Sequence, residues 1–316
     1  MGFFGRKRAP SVPHPRKEPR FDGPLTLERL EQIFQDCVDF TKRPVSLGEG
    51  GACTLTLCYL SGMVKMERVS DYVLRPLAQD EALARCGTPR QAMDRMKDGA
   101  LYNLSAEERT RLDAAVFDLV NGCCLLLFPG ESSVLSLNVG TEEKRSISSP
   151  SNETVLKGSR DAFVESLRTN TSIVRRHLKA PELRIREQVV GRQSVTSVDI
   201  LYIEGLTNPH LVEQVAAQLA DIDIDAVLAT GNIEEYIVPA ARTAFPLVQY
   251  TERSDRFCAG LAEGRVGILI DGLPLGYLAP GVLGDFLQAP QDKSESWLLA
   301  SALTLDRKST RLNSSH

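Results

Sequence analysis

The feature that most constrains this chain is that it repeats itself. Tyr59-Leu60-Ser61-Gly62-Met63 returns as Tyr202-Ile203-Glu204-Gly205-Leu206, 143 positions later. Asn121-Gly122, an apolar run and Pro129-Gly130 return as Glu263-Gly264, an apolar run and Asp271-Gly272, 142 positions later. Two landmarks that keep nearly the same spacing point to a single plan used twice, and an internal period governs a whole architecture. Gly62, Gly205, Gly130 and Gly272 are then expected to be structural turns, where glycine's access to positive φ is needed. Neither landmark carries a catalytic grouping. A doubled scaffold without one suggests a protein that moves, assembles or senses.

The 316 residues leave room for two domains, each large enough to bury its own core. Charge is unevenly spread. Arg6, Lys7, Arg8, Arg16, Lys17 and Arg20 face a single acid, Glu18, in the first twenty positions, while the whole chain is −4, so the body is acidic. An acidic body argues against nucleic acid as a partner, because such binding needs a basic face. Residues 1–24, rich in Pro, Arg and Lys, are expected to form a disordered basic tail, either solvated or resting on anionic lipid. The seven cysteines are odd in number and lack a C-x-x-C spacing, which fits reduced core thiols. No window reaches the 18 or more apolar residues of a membrane span.

Hydrophobic periodicity divides the rest. Leu27, Leu30, Ile33, Phe34, Cys37 and Val38 share a helical stripe behind Thr26 as N-cap. Residues 52–60 predict a strand, and Val69, Tyr72, Val73 and Leu77 a helix ending near Pro76. Ser105-Ala106-Glu107-Glu108 has the spacing of a capping box. Residues 123–128 and 133–139 predict a hairpin around Pro129-Gly130. Residues 159–179 predict a long helix whose final basic residues, Arg175, Arg176, His177 and Lys179, suit its dipole. Strands are expected over 183–189, 195–203, 265–270 and 275–278, with Asn208-Pro209 opening a helix between them and another from Ile233. The fold class is therefore α/β: two similar subdomains, each a mixed sheet with a C-terminal hairpin, joined by a helix-containing linker. The expected divisions are a tail over 1–24, a first subdomain over 25–147, a joining segment over 148–179 and a second subdomain over 180–290. A membrane-proximal segment over 291–305 and a non-native tail over 306–316 complete the chain.

Chemistry-bearing motifs are missing. There is no G-x-S-x-G, no G-x-x-x-x-G-K-[ST] and no G-x-G-x-x-G after a strand, and the four histidines are scattered. Gly48-Glu49-Gly50-Gly51 precedes a strand, the wrong side for holding phosphate at a helix N-terminus. No catalytic, cofactor-binding or metal-binding residue is expected, and no cofactor. Two polar clusters remain, Gln249-Tyr250-Thr251-Glu252-Arg253 and Glu263-Gly264-Arg265. Exposed charges of this kind usually contribute about 0–1 kcal/mol per pair. The alternative is a subdomain or subunit contact made by Glu252, Arg253, Glu263 and Arg265.

Several runs taken together resemble the GerA family, the A subunits of spore germinant receptors. Gly158-Ser159-Arg160-Asp161-Ala162-Phe163-Val164-Glu165-Ser166-Leu167, Asn170 and Arg175-Arg176 are similar to its G-P-R-x-G-F-x-E-x-L…N…R-R run. Tyr202-Ile203-Glu204-Gly205-Leu206 with Asn208-Pro209 resembles its Y-I-x-G-x-x-N-P segment. Gln249–Arg253, Glu263-Gly264-Arg265-Val266, and Gln288-Ala289-Pro290-Gln291-Asp292 with Trp297 also match in order. Ser159 and Ala162 depart from the usual Pro and Gly. The resemblance implies a cytosolic N-terminal region cut short before a membrane domain, on the cytoplasmic face of the inner spore membrane. It implies assembly with a transporter-like B subunit and a lipoprotein C subunit, homo-oligomerisation, and a part in nutrient-triggered germination through an ion-conducting channel. Arg160, Asp161 and Phe163 are expected at the interdomain joint. Charge reversal at Arg253 is expected to lower germination without unfolding the module. The competing readings are a two-lobed soluble small-molecule binding protein, with its ligand in a crevice between lobes, and an enzyme of unrecognised type.

Overall fold

The computed structural model describes residues 21–47, 53–101, 106–140, 161–225 and 248–281. Thr26 Oγ1 accepts the Arg29 amide at 3.3 Å and starts α1 (Leu27–Ile33). Next come β1 (Phe40–Ser46) and β2 (Thr54–Leu60), then a helical insert of α2 (Met66–Val69), α3 (Arg75–Gln79), α4 (Glu81–Ala84) and α5 (Pro89–Arg95). The first half closes with β3 (Ala106–Arg109), α6 (Leu112–Val120) and the hairpin β4 (Cys123–Leu127) and β5 (Val134–Asn138). The second half runs α7 (Leu167–His177), β6 (Leu183–Val190), β7 (Thr196–Ile203), α8 (Pro209–Ala220), β8 (Gln249–Thr251), α9 (Ser254–Ala262), β9 (Val266–Ile270) and β10 (Gly276–Ala279).

The two five-stranded sheets have orders β1-β2-β4-β5-β3 and β6-β7-β9-β10-β8, the same arrangement position by position. Registers coincide as well. Phe40 pairs with Leu60 as Leu183 pairs with Ile203, and Leu125 with Ser136 as Gly267 with Leu278. The doubled plan read from two landmarks thus holds through the whole fold. Strand pairing is antiparallel within both sheets, where mixed sheets were expected. The strands read as apolar runs because helices cover both faces of each sheet. On β2, Leu55, Leu57 and Tyr59 enter one core while Cys58 and Leu60 enter the other. On β7, Val198 and Ile200 face α8 while Leu201 faces α7 and α9.

The four expected turn glycines all have positive φ: Gly62 at 83°, Gly130 at 77°, Gly205 at 79° and Gly272 at 81°. Asn208 Oδ1 accepts the His210 amide at 3.0 Å with Pro209 in the first turn, as the sequence predicts. Other expectations change. Residues 106–109 form β3, because pairing with β5 overrides a local capping pattern. Pro76 does not end its helix. A π turn over Ser70–Leu74 precedes it and α3 continues to Gln79, so the missing N–H falls where the hydrogen-bond ladder is already interrupted. The helix expected over 159–179 spans only Leu167–His177, since residues 161–163 are extended against 252–254. α1 stops at Ile33, and Asp36 has φ 57° in the turn that follows. β1 and β8 carry too few apolar residues to show in the pattern. The basic tail to residue 20, Gly48–Gly51, Arg160, the helix from Ile233 and both C-terminal segments over 291–316 lie outside the described residues. Among the described residues, no helix is long and apolar enough to cross a membrane.

Candidate functional site at the joint between the halves

The joint is built from the loop between α1 and β1 in the first half and from α7 and β6 in the second. The Val38 amide donates to the Ile185 carbonyl at 2.9 Å, and the Ile185 amide donates to Asp36 O at 3.1 Å. Cys37 and Ile185 thereby form a parallel bridge on the open edge of β6. Arg175, 1% exposed, reaches across from α7. Its Nε and Nη2 donate to Asp39 Oδ2 and Oδ1 at 3.0 and 2.9 Å, and its Nη1 to Leu183 O at 3.0 Å. Asp39 is itself 3% exposed. A two-pronged guanidinium–carboxylate pair fixes direction as well as distance. Buried this deeply it adds little net stability, but loss of either partner strands a charge.

Arg184 reinforces the clamp. Its Nη1 donates to Ile33 O and, at 3.2 Å, to Pro181 O, and its Nη2 donates to Glu204. Cys37 Sγ sits between the guanidinium groups of Arg175 and Arg184 and donates to Leu183 O at 3.4 Å. Burial pushes the Cys37 thiol up, outweighing the two arginines that favour the thiolate, so it is not primed as a nucleophile. All seven cysteines are free, and burial pushes Cys58, Cys124 and Cys258 up to about 12. On the same face of α7, Ser172 packs onto Gly62, where a Cβ would lie 2.1 Å from Ser172 Oγ. Lys179 Nζ donates to Asn121 Oδ1 at 2.9 Å.

The residues singled out in the sequence sit elsewhere. Asp161 and Phe163 lie within the second half, not at the joint between halves. The Phe163 amide donates to Glu252 O at 2.8 Å, and its ring meets Phe257 edge-on at 5.3 Å between centroids. These segments are therefore brought together, but as a strand extension inside one unit. Of the four proposed contact residues, Arg253 and Arg265 make separate ion pairs. Arg253 donates through Nε and Nη2 to Asp255 at 3.0 and 2.5 Å, and its Nη1 is buried without an acceptor. Arg265 Nη2 donates to Glu263 Oε2 at 2.6 Å and its Nη1 to Gln249 Oε1 at 3.1 Å. The two groups stand at opposite ends of α9. Because the Arg253 side chain is only 7% exposed, reversing its charge would place a carboxylate beside Asp255 in the interior. It therefore no longer serves as a change that spares the fold.

Among the described residues, one Ser–His–Asp grouping invites a catalytic reading. Ser254 Oγ lies 3.2 Å from His177 Nε2, and Asp161 Oδ2 lies 3.6 Å from that same nitrogen. An acid–base relay needs the two ring nitrogens to serve different partners, so this trio does not make one. Among the described residues no group of His, Cys, Asp or Glu has metal-binding geometry. A groove of about 650 Å³ opens in the first half between residues 23–28 and the β4–β5 turn, with Thr56 and Thr110 on its wall. Between the halves, the described residues make the packed contact above where a two-lobed binding protein would place its crevice.

Sequence reasoning missed Asp39, Arg175, Arg184, Cys37 and Asp199. Arg175 falls in the basic run that the sequence places at the end of a helix. Only Asp199 left a local signal, a carboxylate inside the apolar run Val198–Ile203.

Comparison with known proteins agrees with this architecture. The family model described as Bacillus/Clostridium GerA spore germination protein matches residues 28–312. The uncharacterized membrane protein YfkQ of Bacillus subtilis (strain 168) is 32% identical over 277 residues, covering 88% of this chain and 53% of the relative. Spore germination protein KA of the same organism is 31% identical over 269 residues, 85% of this chain and 49% of the relative. Spore germination protein GerLA of Bacillus cereus is 31% identical over 265 residues, with 84% and 53% covered. The chain thus spans about half the length of the curated relatives it matches. The crystal structure of the N-terminal domain of the A subunit of the Bacillus megaterium spore germinant receptor GerK3 superposes with a TM-score of 0.64 at 27% identity, covering 81% of this chain and 94% of that one.

Proposed function

This chain belongs to the GerA family of spore germination proteins, and on that premise we propose that it is the N-terminal module of a germinant receptor A subunit that relays a conformational change between its two units and a membrane-embedded remainder. The observation that carries this reading is the Arg175–Asp39 clamp. It is the kind of contact that lets one unit report the position of the other, because a buried bidentate pair tolerates one relative placement and penalises others. The match of nearly the whole GerK3 domain supports a module with its own fold, and coverage of about half of each relative supports a second portion beyond it. In this reading the remainder lies in the inner spore membrane, the partners are the transporter-like B subunit, the lipoprotein C subunit and further copies of the A subunit, and the output is an ion-conducting state.

The test uses the full-length receptor in spores. The double variant Asp39→Leu, Arg175→Met replaces the pair with apolar side chains of similar reach, so the fold should survive while the directional contact is lost. Nutrient-triggered germination, followed as the fall in optical density, should slow at least tenfold with receptor abundance unchanged. Germination at the normal rate with the normal amount of receptor would remove the relay role.

A further inference from the structure

α7 carries a second polar group on the face that bears Arg175, one that the clamp does not use. Asp199 of β7 is 0% exposed beneath the helix. Its Oδ2 lies 2.9 Å from Thr171 Oγ1 and 3.6 Å from Arg168 Nη1, and its Oδ1 has no hydrogen-bond partner. Thr171 Oγ1 is also 2.9 Å from Leu167 O. A hydroxyl has one hydrogen and cannot donate to both. If Asp199 is charged, Thr171 turns to Oδ2, leaving Oδ1 bare in the interior. If Oδ2 carries the proton, it donates to Thr171 Oγ1, and Thr171 donates to Leu167 O. The neutral arrangement satisfies every hydrogen and leaves only a carbonyl-like oxygen unpaired, a smaller cost than a bare carboxylate oxygen.

We propose that Asp199 is a proton-operated latch under α7: it is protonated when the two units are clamped, and loss of that proton charges the α7–β7 contact and loosens the helix that carries Arg175 into the first unit. The proton passes from Oδ2 to bulk water, and the Thr171 hydroxyl rotates from Leu167 O to Oδ2.

Arg168, Glu187 and Asp39 are the charged groups that act on Asp199 among the described residues. From α7 comes Arg168, which is 53% exposed and holds Glu187 of β6 with Nη2 at 2.8 Å from both carboxylate oxygens. From β6 comes Glu187 itself, opposite Asp199 in the strand register. From the first unit comes Asp39, and from β9 the register partner is the uncharged Leu269. Burial, reinforced by Glu187 and Asp39 and opposed by Thr171 and Arg168, pushes the Asp199 carboxyl up to about 6. The latch therefore works near neutrality. The first unit has Thr56 at the corresponding strand position, so the device exists in one unit only.

The latch rests on α7 being the relay element proposed above, but its test is separate from the receptor assay. In the 316-residue chain, carboxyl carbon NMR should show Asp199 titrating near pH 6, away from ordinary aspartates near 4. Amide hydrogen exchange of residues 167–177 and 36–39, corrected for its intrinsic pH dependence, should rise at least threefold between pH 5 and 7.5. The Asp199→Asn chain should stay at the slow limit throughout. An ordinary titration near pH 4, or the same exchange response in Asp199→Asn, would overturn the latch. If the variant fails to fold, the wild-type titration and exchange profile still decide.

Discussion

The two units share one topology but distribute volume in opposite ways. In the first, α6 presents Ala115 to Leu125 of β4 and Val134 of β5. In the second, the residues at the same places, 142 positions on, are Phe257, Gly267 and Gly276. A Cβ on Gly267 would lie 2.3 Å from Phe257 Cζ, and one on Gly276 would lie 2.6 Å from Phe257 Cδ2. A large helix residue over two bare strand positions fills the space that a small residue over two branched ones fills in the other unit. Polarity diverges in the same layer. Asp118 of α6 accepts Arg109 of β3 at 2.7 Å, whereas the matching positions, Gly260 and Thr251, have no charge and Gly260 is pressed against Leu278. Core packing is conserved as total volume and shape, and residue identity is free to change if its neighbours change with it.

The largest effect that can break this comparison comes at the joint, which belongs to neither unit alone. Arg175→Ala should destabilise the chain by about 3–5 kcal/mol, because Asp39 is left charged and buried. Asp39→Leu with Arg175→Met should recover most of that loss in a urea titration. Gly267→Leu alone should cost about 3 kcal/mol by overpacking against Phe257. The triple change Phe257→Ala, Gly267→Leu, Gly276→Val imports the first unit's solution and should restore at least half of the lost stability. If it restores none, the two layers are not interchangeable.

The units should also answer pH with opposite signs. In the first, Glu108 is held down to about 2 by hydrogen bonds from Arg90, Lys97 and Ser133. Its folded value lies below its unfolded one, so its contribution is present above about pH 4.5 and is lost as pH falls toward 2. In the second, Asp199 is raised by burial to about 6, above its unfolded value. Its favourable contribution is present below about pH 4 and is lost as pH rises through 6. Thermal unfolding at several pH values should show Glu108→Gln flattening the acid limb by about 1–2 kcal/mol, a range reduced for partial exposure. Asp199→Asn should flatten the fall in stability as pH rises from 5 to 7 by about 1–2 kcal/mol. The smallest effect is expected at Phe117, which is 65% exposed on α6. Phe117→Gln should shift stability by less than about 0.5 kcal/mol.

Most of the fold was legible because its signals are local. The runs that became β2, β4, β7 and β9 are apolar enough to be seen, Thr26 and Asn208 cap the helices that follow them, and Gly62 and Gly205 stand in turns that need positive φ. β1 and β8 were hidden because an edge strand needs few apolar residues when one side is unpaired. Residues 106–109 misled because a capping pattern and a polar edge strand can use the same letters. Of the candidate site, little was visible. Asp161 and Phe163 were expected at an interdomain joint and Glu252 and Arg253 at a separate contact, whereas the structure pairs these two segments with each other inside one unit.

The sequence by itself determined the duplication, the α/β class, the turn glycines and membership of a family, since each depends on residue order over short windows or on spacing along the chain. The tertiary structure alone decided which charges are buried and which residues meet. Asp39 and Arg175 stand 136 positions apart in an otherwise ordinary loop and helix, and their pairing exists only once the loop before β1 is seated on the edge of β6. Solvation energy depends on what surrounds a group in space, and that cannot be read from its neighbours in the chain.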